Sequence, residues 1–364
     1  MILHLYFAKR FLLTFVLIFS VLLGIMVFVD LVEQLRLFSG KAAGFSDIVR
    51  LTMLNIPAGL YAILPLIVIL TTLTLFLSLA RSSEMVVTRA AGRSALNALV
   101  APLLVAIAIG GLAVAILNPI VAATSRAYEA QSRALTGDAS ALTIGASGLW
   151  LRQGTAVQQA VIRAKGSNLN GTELSDVTFM VFEKNQGLTQ RIEAARATLT
   201  PGAWRLEDTT SWPLGQDANP QTQMEKAQVM TLASTLTANQ IRNSFGAPNA
   251  IPIWDLPAFI DRLQEAGFSA ARYKMWFQME MALPLFFVAM VMIGAVFTLR
   301  HQRGGRTGLM VLIAIILSFG VYFLRNFAQV MGENGQLPIL LAAWAPPLAA
   351  IGLSLGALLH SEDG

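Results

Sequence analysis

Between Arg50 and Arg81 the chain reads LTMLNIPAGL YAILPLIVIL TTLTLFLSLA, 30 residues without an Asp, Glu, Lys or Arg. A helix needs roughly 20 mostly apolar residues to cross a bilayer, so this run crosses with residues to spare. Working outward from it, the pattern recurs. Arg10 to Asp30 encloses 19 uncharged residues, Arg93 to Arg126 encloses 32, and Glu280 to Arg300 encloses 19. Arg306 to Arg325 encloses 18 and Glu333 to Glu362 encloses 28. The predicted layout is six transmembrane helices, three before and three after a long polar segment.

Composition agrees. The chain is 55% hydrophobic and 13% charged, with a mean hydropathy of +0.61, where a soluble domain carries about 25% charged residues. A water-soluble enzyme and a disordered chain are both excluded. The first run follows Lys9 and Arg10 as a secretory signal would, but its apolar core exceeds the usual length of about 7–15 residues. Asp30, Glu33 and Arg36 follow it in place of a small-x-small cleavage site, so it reads as a retained membrane helix. The absence of cysteine removes disulfides, thiolate nucleophiles and Cys-ligated metals.

Charge sets the expected orientation. Arg126 to Arg272 holds 13 basic and 13 acidic side chains, so the net +5 comes from the remainder, 13 basic against 8 acidic. Short loops rich in Lys and Arg stay cytoplasmic. Lys9/Arg10, Arg81/Arg89/Arg93 and Arg300/Arg303/Arg306 lie at alternate ends of successive crossings. Both termini are therefore expected in the cytoplasm of a multi-pass membrane protein, with the polar segment outside. The pI near 9.7 is explained by these loops rather than by nucleic acid.

The polar segment reads as β structure. Gly148–Arg152, Ala160–Arg163, Val177–Phe182, Thr189–Leu199 and Ala203–Glu207 have strand length and composition, and turns are expected at Glu183–Gly187 and at Pro201-Gly202. Short, closely spaced strands point to an antiparallel sandwich, jelly roll or open barrel rather than βαβ units. After it, Leu256, Phe259, Ile260 and Leu263 mark one face of a juxtamembrane helix. The expected domains are 1–128 for helices one to three, 129–254 for an inserted jellyroll-like β-domain, and 255–364 for the juxtamembrane helix and helices four to six.

Catalytic motifs are missing: no G-x-x-x-x-G-K-[ST] phosphate loop, no H-E-x-x-H and no G-x-S-x-G. Glu280, Arg325 and Asp30 approach the crossings only near their ends, which disfavours a proton-driven transporter. The sharpest local signal lies between crossings two and three. In Ala80-Arg-Ser-Ser-Glu-Met-Val-Val-Thr-Arg-Ala-Ala-Gly-Arg93, Ser82 or Ser83 can cap a short helix, Glu84 favours its dipole and Gly92 can end it. A helix over about 82–92 with one acid and an apolar face suits docking to a cytoplasmic partner; a basic loop that only sets topology is the other reading.

The block Arg81-Ser-Ser-Glu-Met-Val-Val-Thr-Arg-Ala-Ala-Gly92 resembles the coupling-helix signature of the lipopolysaccharide-export permeases, the LptF/LptG family. So do Phe28-Val-Asp30, Asn118-Pro-Ile-Val, Ala271-Arg-Tyr273, Gln336-Leu-Pro338 and Ala345-Pro346, and Phe28-Val-Asp30 favours the LptG-like branch. The resemblance implies a non-catalytic ABC-transporter permease that extracts lipopolysaccharide from the inner membrane and passes it to a periplasmic jellyroll bridge towards the outer membrane. It implies no cofactor on this chain, with ATP used by the partner ATPase. The implied partners are a homologous LptF-like permease, a cytoplasmic LptB-like ATPase dimer and LptC/LptA-like periplasmic jellyroll proteins. Glu84, assisted by Arg89, would couple to the ATPase. Arg36, Lys41, Arg126, Arg133 and Arg325 would meet lipopolysaccharide phosphates. Gly352-x-x-x-Gly356 would allow close helix approach. A membrane-anchored sensor or assembly factor with a periplasmic β-domain is the alternative class.

Overall fold

The computed structural model describes residues 2–39, 43–82, 84, 95–136, 142–145, 148–154, 158–167, 172–183, 187–214, 223–234, 236–237, 247–265, 269–298 and 307–363. These form two compact units. One holds residues 1–135, 248–256 and 271–364, and the other 136–247 and 257–270.

The first unit is helical. Its elements are α1 (Ile2–Leu37), α2 (Phe45–Arg81), α3 (Ala95–Leu112), a π-turn (Ala113–Leu117) that leads into α4 (Asn118–Thr136), α6 (Ala271–Met281), α7 (Leu283–Thr298), α8 (Thr307–Glu333) and α9 (Ile339–Asp363). Among the described residues five helical spans are long and apolar enough to cross a membrane, and the pair α6/α7, bent by 51°, makes a sixth when taken as one span. Pro284 explains the bend, because it has no N–H to give the carbonyl of Glu280. The fourth crossing therefore differs from its expected form. Glu280, read as marking its boundary, is only 2% exposed and sits inside a broken span that begins at Ala271.

Four buried hydroxyls within the bundle are satisfied locally, as an apolar surround favours. Thr71 and Thr72 donate to the carbonyls of Ile67 and Val68, Thr298 to Gly294, and Ser318 to Ala314. The core lies around α7, nearly all of whose residues are buried. Glycines let neighbouring helices approach it closely. A Cβ on Gly110 of α3 would lie 2.5 Å from the Cα of Pro284, and one on Gly294 would lie 2.7 Å from Cγ2 of Thr72. In contrast, none of the most apolar window of α1 is buried, against 61% for α2.

The second unit is one antiparallel sheet in strand order β1-β2-β3-β4-β5-β6-β7. The strands are β1 (Leu142–Gly145), β2 (Gly148–Gly154), β3 (Gln158–Ser167), β4 (Glu173–Glu183), β5 (Gly187–Thr200), β6 (Ala203–Pro213) and β7 (Glu225–Ala233). The five runs read as strands fall in β2 to β6; β1 and β7 are additions. Pro201-Gly202 forms the β5–β6 turn, with Gly202 at φ 81°, a left-handed conformation that glycine adopts without strain. Alternation buries Leu151, Ile162, Phe179, Ile192 and Trp204 on one face.

The sheet is strongly curled. In β2, Gln153 Oε1 accepts from Trp204 Nε1 of β6 (3.0 Å), and its Nε2 donates to the carbonyl of Ala233 in β7 (3.2 Å). Laid flat, β2 and β6 would stand about 19 Å apart at the usual strand spacing, so these bonds require the sheet to fold over its buried face. Asp176 and Asp208, at φ 48° and 51°, mark where the strands bend. Both lie level with Ala195 of β5, between the Arg196 and Ala194 pairings. There the inward positions step by three, from Leu174 to Val177 and from Leu206 to Thr209, with no shift of register.

Helix α5 (Leu256–Glu265) clusters with the sheet unit through residues 257–265. Helix α4 runs on to Thr136, beyond the boundary expected at 129.

Candidate functional site

Two polar constellations stand out in the helical unit, one at the end of α2 and one within the bundle. At the first, Ser82 closes α2 and places Glu84 beside the start of α1. Arg10 Nη1 donates to both oxygens of Glu84 (2.7 and 2.8 Å), Tyr6 Oη donates to Oε2 (2.9 Å), and Ser82 Oγ donates to Oε1 (2.7 Å). Arg10 also donates to Tyr6 Oη (2.7 Å), with its guanidinium 5.7 Å from the ring centroid. Tyr6 and Arg10 are i, i+4 neighbours on one helix face, so a single face grips the carboxylate. Partial burial would raise the Glu84 pKa, but the hydrogen bonds from Arg10, Ser82 and Tyr6 and the Arg10 charge outweigh it, and the carboxyl is held below its ordinary value. The Arg10 and Glu84 side chains remain 29% and 33% exposed, so solvent screens the pair.

The rest of the 82–92 segment, Arg89 included, lies outside the described residues, as does Lys41. Arg10, read from sequence as a topology charge, is the residue that the structure adds to this site. No sequence signal joined it to Glu84, because 74 residues separate them.

The second constellation is buried. Tyr61 of α2 donates to Glu280 of α6. Asn118, at the end of the π-turn, stands beside Tyr61 and Glu280, and its Oδ1 accepts from the backbone N–H of Ile253 (2.9 Å), which ties the start of α4 to the connector that leads back to the membrane helices. A π-turn of this kind often marks a functional position. Next to it, Pro119 has no N–H for the carbonyl of Ala115, which accepts the Trp254 indole N–H (3.3 Å). Arg325 of α8 is half-buried over the Phe286 ring (5.0 Å), and its charge acts on Glu280. Arg325 is therefore part of an intramembrane polar cluster, which the sequence placed only near a helix end.

The other expected lipopolysaccharide cations are dispersed. Arg36 is exposed and pairs with Glu33 (3.2 Å). Arg126 is exposed and donates to the carbonyl of Ala122 (3.3 Å). The backbone of Arg133 lies in α4, and its side chain is outside the description. Near Arg36 and Arg126, Tyr128 donates to Gln34 (3.2 Å). Each arginine is two residues from that contact, about 200° round its helix, so the two point away from it. Gly352 and Gly356 are exposed, with nothing of this chain within 4 Å of an added Cβ. They form no interface within the described chain.

An apolar cleft lies between α2, α7 and α8, lined by residues that include Pro65, Ile69, Met290, Phe319 and Tyr322.

The sequence profile of the lipopolysaccharide export system permease LptF/LptG matches residues 5–360, through both helical halves and the inserted sheet. The chain belongs to the LptF/LptG family. It is 26% identical over 346 residues to the lipopolysaccharide export system permease protein LptG of Escherichia coli strain K12, covering 93% of this chain and 88% of that protein. The same identity and coverage hold for LptG of Escherichia coli O6:H1. Membership makes this a multi-pass inner-membrane permease of lipopolysaccharide export, a transport subunit rather than an enzyme.

Proposed function

We propose that the chain is the LptG-like half of an ABC transporter that extracts lipopolysaccharide from the inner membrane and hands it to a periplasmic bridge of jellyroll domains. The LptF/LptG match over residues 5–360 carries the reading, because it takes in all the candidate spans and the sheet together. A homologous LptF-like chain would pair with this one, and the unburied apolar face of α1 is compatible with such a neighbour. A cytoplasmic LptB-like ATPase dimer would dock at the segment headed by Glu84, with Arg89 assisting, and would use the ATP; this chain would bind no cofactor.

The termini would be cytoplasmic and the sheet periplasmic. The ends of the sheet support an onward connection. Among the described residues β1 pairs only with β2 and β7 only with β6, which leaves edges for strand addition by an LptC- or LptA-like jellyroll. Arg36, Lys41, Arg126, Arg133 and Arg325 remain the candidate phosphate contacts, and Gly352/Gly356 a candidate contact with the second permease.

The test is co-purification combined with topology. A tagged chain should bring down a soluble ATPase, and Glu84→Arg should weaken that capture without reducing insertion. Reporters at Gly364 and near Gly187 should read cytoplasmic and periplasmic. A cytoplasmic signal near Gly187, or undiminished ATPase capture and export with Glu84→Arg, would overturn the orientation or the docking assignment respectively.

A further inference from the structure

We infer that Arg10, assisted by Tyr6, is a positioning residue that fastens Glu84 to α1, so that a displacement imposed at Glu84 is carried along α1 to the opposite end of the bundle. This rests on the reading of Glu84 as the ATPase contact and deepens it.

Helix α1 is built to act as a lever. It is 36 residues long, about 54 Å at 1.5 Å per residue, and contains no proline. It packs along α2, with Met26 against Gly59, but no residue of its most apolar window is fully buried. Polar ties hold it near both ends. At one end, Arg10 and Tyr6 grip Glu84 through three bonds of 2.7–2.9 Å. Towards the other, Asn55 of α2 donates to Asp30 (2.6 Å) and Tyr128 of α4 donates to Gln34 (3.2 Å). Asp30 Oδ2 is buried without a partner, so the Asn55 bond is the one that holds this carboxylate. Glu84 stands beyond the end of α2, and charge-assisted bonds from α1 to both of its carboxylate oxygens join it to that helix.

The experiment uses the complete permease–ATPase complex in proteoliposomes and measures lipopolysaccharide released per ATP hydrolysed. Arg10→Gln should still capture the ATPase, because Glu84 keeps its charge. Its release-to-hydrolysis ratio should fall by about two- to fivefold, the range that a half-exposed ion pair supports. Arg10→Lys should recover most of the loss. A native ratio for Arg10→Gln, or a ratio for Arg10→Lys as low as that of Arg10→Gln, overturns the proposal.

A second readout does not depend on transport. The chain has no cysteine, so spin labels on Leu5→Cys and Ala80→Cys, both exposed positions, would be its only labels. Their distance distribution should be narrow and should broaden with Arg10→Gln; an unchanged distribution refutes the latch. The double variant Arg10→Glu/Glu84→Arg separates the two ideas. A restored label distance with ATPase capture still weakened supports both the latch and the docking reading. A restored distance with native capture upholds the latch and removes Glu84 from the ATPase interface. A distance that stays broad counts against the latch alone.

Discussion

Gly110 and Gly111 stand side by side in α3 yet face different surroundings, which makes them a matched test of how the bundle packs. A Cβ on Gly110 would lie 2.5 Å from Cα, 3.0 Å from Cβ and 3.1 Å from N of Pro284. Carbon atoms rest at about 3.5–4.0 Å, so α3 and the α6/α7 bend would have to separate by about 1 Å. Pro284 cannot yield alone, because the contact is to its backbone and buried α7 continues from it. Overpacking of this kind costs about 1–3 kcal/mol. A Cβ on Gly111 meets nothing within 4 Å. Both substitutions gain the same helix propensity, up to about 1 kcal/mol for Gly→Ala, so the propensity term cancels in the comparison. Gly110→Ala should therefore be less stable than Gly111→Ala by about 1–3 kcal/mol. Gly111→Ala itself should match or slightly exceed the native chain. Thermal unfolding of the three purified proteins in one detergent, at one scan rate, measures the order. Midpoints for Gly110→Ala equal to or above those for Gly111→Ala would refute the close approach of α3 to the bend.

Two further outcomes are expected. Tyr61→Phe removes the hydroxyl that donates to Glu280 and should destabilise the bundle by about 1–3 kcal/mol, the cost of leaving a buried polar group unpaired; a native unfolding midpoint in detergent would show that this bond adds nothing to stability. The latch should also respond to acid with a definite sign. The folded pKa of Glu84 is depressed, so the stabilisation is present above the ordinary carboxylate range and is lost as pH falls through the depressed value. The Leu5/Ala80 label distance should accordingly stay narrow from pH 7 down to the ordinary carboxylate value of 4.5 and broaden only below it, whereas broadening above that pH would contradict the assignment.

The sequence by itself determined the membrane spans, the inserted β segment and five of its strands. The reason is physical: a bilayer imposes one long-range rule, roughly 20 apolar residues per crossing, and a half-buried strand alternates with period two. Both are written in neighbouring residues. Glu84 drew attention for the same reason, as an acid in a short contiguous block whose composition reads as a helix start. What it touches was not. Arg10 reads as one more basic residue at a helix start, and only the antiparallel packing of α1 on α2 brings it to Glu84 across 74 positions. Glu280 and Arg325 likewise seem to bound their crossings, because charge counting cannot see that Pro284 bends the fourth span and sets Glu280 beside Tyr61 and Asn118. Strand order and curl belong to the same class. Gln153 carries no mark of its distant partners, and the bends at Asp176 and Asp208 that bring Trp204 to it arise from a left-handed backbone state that aspartate tolerates but does not announce. Local periodicity fixes which segments enter the membrane or the sheet, while pairings between distant polar groups are chosen only when the packed backbone leaves them no water to bond instead.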